Sequence, residues 1–564
     1  LGVVRRCLLA PNLAGRCTAS RATWSAAAIA TLWACHPLGV DAVAYVTQRT
    51  TLLMSACLLV GLYAVLRAAP APRPRRWQGL AVLAMALGMA SKEEFVAAPV
   101  LVVLFERAFL LPDWRAVRAR LPFHLGLAAS WGVLAVCLAL GPHNETVGYD
   151  SFVKVSAFEW LMTQAGVILH YLRLVGWPHP LRGIYDQGIV RDFGTAALPL
   201  LAVGALFVAA VWQWRRRPWL AWSWAMFFLL LGPTSSVMPI VTEVVAERRM
   251  YLPMLAVVVP GVLLVVAAVE RLLAGTGRAR LRIVTLSLLG TCVAVAYVLT
   301  ARAHTATFAS AEAFWADAMA KNDLDNGSLT TSIVLGGYAD TMRQQGRNDE
   351  ALRLLQRALQ CPITMAVAPL KYGELLRDLG RLEDSEKSMR WVVQRYPGFA
   401  EGLGQLAFLL IKRHEVALGS GEVGPSDPRL AEAVQLAQRA YELAPAAGYL
   451  NTLGMALCRQ ERLADAERVL RRARELDPEF TDAISTLGAV LCFAGRLPEG
   501  IALWLEVLER TPRNVGLRLA IANAQVKADQ PEAAAAMLDE VLRLEPGHPQ
   551  AQAMLRDLRA GAPR

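Results

Sequence analysis

Pro445, Pro478, Pro512 and Pro546 recur at intervals of 33, 34 and 34 residues, and this period constrains the chain more than any other feature. A repeat of that length marks a stack of helix pairs, each too small to bury its apolar face alone. Leu453-Gly454, Ala466 and Ala473 precede Pro478, and Leu487-Gly488 stand in the same register before Pro512. Pro397 follows Gly373 by 24 residues, as Pro478 follows Gly454 and Pro512 follows Gly488. Small residues let paired helices approach, and the proline ends the second helix because it lacks an N–H and clashes with the preceding turn. Ala351, Ala358 and Pro362 fit a degenerate first repeat. From Gly404 to Pro445 the interval is 41 residues. The excess of 17 over 24 matches the Gly/Pro/Ser-rich stretch 417–428, so a loop insertion is expected near 414–428. About six repeats result, enough for a stable superhelix.

The first half is different. The whole chain is 55% hydrophobic with a mean hydropathy of +0.36, yet 19% of its residues are charged. That combination points to a polytopic membrane domain, 1–305, joined to a polar one, 306–564. About nine spans are expected, near 22–36, 50–67, 77–91, 95–111, 121–141, 194–213, 219–233, 251–269 and 283–301. The net charge of +11 suits cytoplasmic loops of a membrane protein rather than a nucleic-acid surface. The nine Cys contain no CxxC pair, so neither a disulfide framework nor a zinc site is indicated.

Basic clusters set the orientation. Arg5, Arg6, Arg16 and Arg21 precede the first span, and others follow the second, fourth, sixth and eighth, including Arg215, Arg216, Arg217, Arg278 and Arg280. All fall on one side, the cytoplasm, if the spans alternate. The apolar run 160–178 would break this agreement as a full span. It reads as an interfacial or re-entrant part of an external segment, 142–193, with Trp160, Tyr171 and Trp177 at headgroup level. The alternative is an ordinary span that departs from the charge rule.

Four polar stretches then converge on the outer face: His36 to Arg49, Ser91-Lys92-Glu93-Glu94, Arg182 to Asp186, and Thr242 to Pro253. Outer loops are otherwise poor in Lys and Arg, so these cations suit an anionic ligand. Sugar transfer from a polyprenyl-phosphate lipid needs cations where charge grows on the leaving phosphate, and a carboxylate as base for an acceptor hydroxyl. Arg49, Lys92 and Arg249 are the candidate phosphate ligands. Asp41 is the candidate catalytic acid residue, with Glu93, Glu247 and His36 as further site candidates. Ordinary structural roles stand beside them: Glu243 as a helix cap, Tyr185-Asp186 as a turn, Arg248 as an interfacial anchor.

The repeat period is that of tetratricopeptide (TPR) arrays. His36-Pro37 with Asp41 and Arg49, Met89-Ala90-Ser91-Lys92-Glu93, Thr163-Gln164, Tyr185-Asp186 and Glu247-Arg248-Arg249-Met250-Tyr251-Leu252-Pro253 resemble, in order, motifs of a membrane glycosyltransferase family that carries a TPR tail. That family includes the transmembrane-and-TPR O-mannosyltransferases and bacterial relatives. The resemblance implies an all-α protein: a GT-C-like polytopic domain followed by a TPR α-solenoid, with Lys92 near the lipid phosphate. It implies a lipid-linked sugar as donor, plausibly mannose, protein Ser/Thr as acceptor, and room for a divalent metal. The acid that such enzymes carry in the first external loop has no counterpart here, which suggests upstream sequence before Leu1. The TPR array would be extracytoplasmic (periplasm in a bacterium, ER lumen in a eukaryote), its groove holding the acceptor polypeptide. The alternative is a non-catalytic, membrane-anchored TPR scaffold for protein–protein interaction. Asn144-Glu145-Thr146 and Asn326-Gly327-Ser328 are formal glycosylation sequons.

Overall fold

The computed structural model describes residues 1–140, 155–237, 239–274, 279–361, 365–421 and 423–560. Asn144-Glu145-Thr146, Arg278 and Pro362 lie outside them. The described residues form helices and no strand, in two compact units, Leu1–Thr341 and Met342–Arg564.

The first unit begins with α1 (Gly2–Leu8), α2 (Ala19–Ala34), the short α3 (Val40–Ala44), α4 (Arg49–Ala68) and α5 (Pro74–Met89). There follow α6 (Ala98–Phe105), which runs into a π turn at Glu106–Leu110, then α7 (Trp114–Arg118), α8 (Leu121–Ala128), α9 (Ser130–Leu140) and α10 (Ala157–Gly176). The unit continues through α11 (Phe193–Arg216), α12 (Pro218–Gly232), α13 (Pro253–Leu272), α14 (Ala279–Thr305), α15 (Ala311–Lys321) and α16 (Leu329–Gln344), which crosses the unit boundary. Helices stand at all nine expected spans. Among the described residues five are long and apolar enough to cross a membrane, and a sixth arises if α2 and the segment Pro37–Ala44, bent by 56°, count as one. The break falls at His36-Pro37 because the proline supplies no N–H to continue the helix. α5 has 16 residues and α12 has 15, short of the roughly 20 that span a bilayer.

α10 covers nearly all of the apolar run 160–178. It is one unbroken 20-residue helix, opened by a Ser156/Glu159 capping box. Trp160 and Tyr171, expected at headgroup level, are fully buried in the main core with Phe95, Phe105 and Phe227. The indole N–H of Trp160 donates to the Thr234 carbonyl at 3.2 Å, and the Tyr171 hydroxyl donates to the Ala246 carbonyl at 3.0 Å. Each polar edge thus has a partner indoors, which makes burial of the rings favourable. Trp177 alone stays exposed.

The boundary also moves. The first unit runs past 305 because α15 and the turn after it bond to the segment 181–186. Lys321 Nζ donates to the Leu181 carbonyl at 2.8 Å, Asn322 Nδ2 to the Ile184 carbonyl at 3.1 Å, and Ser328 Oγ to Asp186 Oδ1 at 2.7 Å. Asn326, in the second sequon, also donates to Asp186.

The second unit is a succession of helix pairs: α17 (Asn348–Leu359), α18 (Val367–Asp378) with α19 (Leu382–Arg395), α20 (Ala400–Gly419) with α21 (Pro428–Leu443), α22 (Ala447–Arg459) with α23 (Leu463–Leu476), α24 (Thr481–Phe493) with α25 (Leu497–Arg510), α26 (Val515–Lys527) with α27 (Pro531–Leu544), and a last helix, α28 (Pro549–Ala560). A Cβ on Gly373, Gly454 or Gly488 would lie 2.9, 2.5 or 2.6 Å from the side chain of Met389, Leu470 or Trp504. Each partner stands 16 residues downstream of its glycine, so one contact repeats through the array.

The insertion near 414–428 is only partly a loop. α20 continues to Gly419, and 420–427 alone connect it to α21. His414, 1% exposed, explains the extension: its Nδ1 lies 2.9 Å from Asp427 Oδ2. Asp427 also caps α21 through the Arg429 N–H at 3.0 Å and pairs with the Arg429 guanidinium. The extra turns are anchored by a buried, fully partnered carboxylate.

Candidate functional site

The seven candidate residues fall into two groups, and no hydrogen bond or ion pair among the described residues joins them. The first group is built on the turn Glu247–Met250 and on α3. Asp41, 3% exposed, accepts the Arg248 N–H at 3.2 Å and faces the Arg248 guanidinium at 3.5 Å. Arg248 also pairs with the Glu243 carboxylate. Burial works against its charge, but the carboxylates of Glu243 and Asp41 more than offset this and raise its pKa. Arg248 therefore bridges two acids, and Glu243 is its ion-pair partner rather than a helix cap.

Glu247, fully buried, ties three segments together. Its Oε1 accepts the Arg182 N–H at 2.7 Å and the Tyr185 hydroxyl, and its Oε2 lies 3.4 Å from His304 Nε2 on α14. Burial first, and then the Glu247 carboxylate, push the Tyr185 phenol above its ordinary range. Tyr185 is thus a half-buried donor, not only a turn residue. Arg249 turns inward: Nη2 donates to the Glu243 carbonyl at 2.8 Å and Nη1 to the Val244 carbonyl at 3.4 Å. It holds the 243–249 loop in shape by binding carbonyls.

His36 is a positioning residue. Nδ1 accepts the Leu38 N–H at 3.2 Å, so the proton sits on Nε2, which donates to the Val175 carbonyl at 3.1 Å. Both nitrogens are engaged, and none is left for proton transfer.

The second group lies at the N-terminus of α4. Lys92 Nζ donates to Thr51 Oγ1 at 2.9 Å and pairs with Glu94 Oε2 at 3.1 Å. Glu94 is buried and Glu93 exposed, so the acid that meets Lys92 is the neighbour of the candidate Glu93. Thr51 is two residues past Arg49, whose side chain is exposed, and its hydroxyl donates to Gln48 Oε1 at 3.2 Å. One of the three ammonium protons of Lys92 remains for another acceptor, beside a helix end whose dipole favours anions. Glu94 belongs to the polar stretch 91–94 but is not singled out in it, and Thr51 stands just past the end of the stretch His36 to Arg49.

In the second unit, a cavity of about 530 Å³ opens between successive first helices of the repeats. Met455 and Arg459 of α22, Phe493 of α24, and Asn523 and Lys527 of α26 line it. Phe493 is 63% exposed there, and Arg459 is held by Glu415 at 2.6 Å.

Residues 494–558 match a family model described as tetratricopeptide repeat. No curated protein matches the chain. Among solved structures it is similar to a thermophilic TPR protein of Thermus thermophilus, at 22% identity over 36% of this chain and 100% of the other, with a TM-score of 0.30. A tetratricopeptide repeat protein of Parabacteroides merdae aligns at 13% identity over 44% of this chain and 92% of its own, with a TM-score of 0.36. YrrB, a TPR protein with an unusual peptide-binding site, aligns at 19% identity over 36% and 97%, with a TM-score of 0.27. The family match falls within the second unit, where the 34-residue period also lies, so residues 494–558 are tetratricopeptide repeats.

Proposed function

We propose that the protein is a membrane-anchored scaffold whose TPR array binds an extended polypeptide on the extracytoplasmic face. The observation that carries this reading is the cavity between Met455, Phe493, Asn523 and Lys527. An exposed aromatic ring flanked by amide and ammonium donors offers a side-chain pocket beside partners for a peptide backbone. The test places a photo-crosslinking residue at Asn523, or at Arg468 on an exposed helix face, in the full chain in its membranes. Polypeptide adducts at 523 that Phe493→Ala removes, with none at 468, are the expected result. Equal labelling at both positions overturns the reading.

A second reading is favoured by the Lys92–Thr51–Glu94 arrangement beside Arg49: transfer of a sugar such as mannose from a polyprenyl-phosphate donor to protein hydroxyls. Lys92 and Arg49 would receive the departing phosphate, and Asp41, released from Arg248, would serve as base. A divalent metal would add charge at the phosphate. Membranes are assayed with radiolabelled polyprenyl-phosphate-mannose, comparing wild type with Arg49→Ala and Lys92→Ala. Transfer that both substitutions abolish supports the enzyme. No transfer from folded wild type with several lipid-linked sugars leaves the scaffold.

A further inference from the structure

A cavity of about 210 Å³ sits between α1, α2, α4, α12 and α13, on the side of the first unit marked by Arg5, Arg6, Arg16 and Arg21. Leu62 of α4, Trp222 and Met226 of α12, and Leu255, Val259 and Leu263 of α13 form much of its wall. Leu255 and Leu263 are eight residues apart on one helix, so the slot runs along it for about 12 Å at the α-helical rise.

Its polar lining is gathered at one end. Arg16 and Arg21 line it there, and Arg21 pairs with Glu270 at the C-terminal end of α13 at 2.6 Å. Near the other end α2 and α13 are tied by the Trp33 indole N–H, which donates to the Tyr251 carbonyl at 2.8 Å. The helices are therefore antiparallel, and the slot has a cationic mouth at the Arg21–Glu270 end and an apolar floor toward Leu255. Before Asp41 the chain has four Arg and no Asp, Glu or Lys. Arg5 donates to Thr23, Arg6 lies over the Tyr63 ring, and the Arg16 side chain forms no hydrogen bond or ion pair among the described residues. Apolar walls without atoms against them forfeit dispersion contacts, and a cation such as Arg16 at a membrane edge, beside the Arg21–Glu270 pair, attracts anionic headgroups.

We propose that this slot holds one acyl chain of an anionic glycerophospholipid, with its phosphate at Arg16 and Arg21. The proposal rests on the membrane reading of the first unit, and it is independent of whether the protein transfers sugar. A phosphate alone would meet only the mouth, whereas a lipid fills mouth and floor together.

The test uses the full chain, purified in detergent and exchanged with phosphatidylglycerol or phosphatidylcholine, with bound lipid read by native mass spectrometry. Phosphatidylglycerol is expected to bind about ten-fold tighter than phosphatidylcholine. Arg16→Gln with Arg21→Gln, both solvent-facing, should abolish that preference. Val259→Trp, which fills the slot, should reduce the binding of both lipids. Equal binding of the two lipids by wild type, a preference that survives the double substitution, or displacement of bound phosphatidylglycerol by an equal concentration of inorganic phosphate overturns the proposal. Recovery of the chain in the soluble fraction without detergent overturns the membrane reading itself, a distinct outcome.

Discussion

Asp41 and Arg248 are joined twice, although 207 residues separate them: the carboxylate accepts the Arg248 N–H at 3.2 Å and faces its guanidinium at 3.5 Å. Both are largely buried, so removing Arg248 strands the Asp41 carboxylate, whereas Arg248 without Asp41 keeps Glu243. Arg248→Met should destabilise the first unit by about 3–5 kcal/mol, and Asp41→Asn with Arg248→Met should cost less than the sum of the single changes. Thermal unfolding of the four proteins in one detergent measures the coupling.

Glu461 adopts φ +61° at a repeat turn where Gly380 and Gly495 adopt +77° and +81°. The left-handed region costs a residue with a Cβ about 1–2 kcal/mol. Glu461→Gly should therefore stabilise the array by about 1 kcal/mol, a gain that slowed hydrogen exchange in α22 and α23 would register.

Gly454 and Gly448 occupy the same helix, but only Gly454 faces a neighbour. Its Cβ would stand 2.5 Å from Leu470 Cγ, whereas a Cβ on Gly448 meets nothing within 4 Å. Gly454→Ala should cost about 1–3 kcal/mol through overpacking, and Gly448→Ala should gain up to about 1 kcal/mol through helix propensity. Chemical denaturation of the two variants should shift the TPR transition in opposite directions.

The Asp427 carboxyl titrates below its ordinary range. Burial works to raise it, but hydrogen bonds from His414 and from the N–H and guanidinium of Arg429 outweigh burial. The folded state thus binds fewer protons than the unfolded chain near the ordinary Asp value of about 3.9. The stabilisation is fully present above that value and is lost as pH falls through the lower folded value. Asp427→Asn should destabilise the α20–α21 pair at neutral pH, and its deficit should shrink as pH falls below about 4. Unfolding of both proteins across that window measures the change.

The register of the array was legible because a 34-residue period repeats small residues and prolines at fixed positions, and Gly373, Gly454 and Gly488 then meet their partners at one constant separation. The turns were less legible, since Glu461 and Asp529 fill left-handed positions that Gly takes elsewhere. The helical extent of the insertion depended on one buried pair, His414 and Asp427, that composition does not mark. In the first unit hydropathy located the helices but not their packing: carbonyl partners contributed by 234 and 246 allow the Trp160 and Tyr171 of α10 to be buried.

The site divides in the same way. Local sequence determined which stretches carry ionisable groups between apolar runs, because charge in such places is costly and stands out. Tertiary structure decided their pairing: Lys92 with Glu94 and Thr51, Asp41 with Arg248, Glu247 with Tyr185 and the Arg182 N–H, Arg249 with carbonyls of its own loop. Those choices depend on contacts between residues up to 207 positions apart. Such contacts are set by how helices pack, and neither a residue's type nor its neighbours in the chain encodes them.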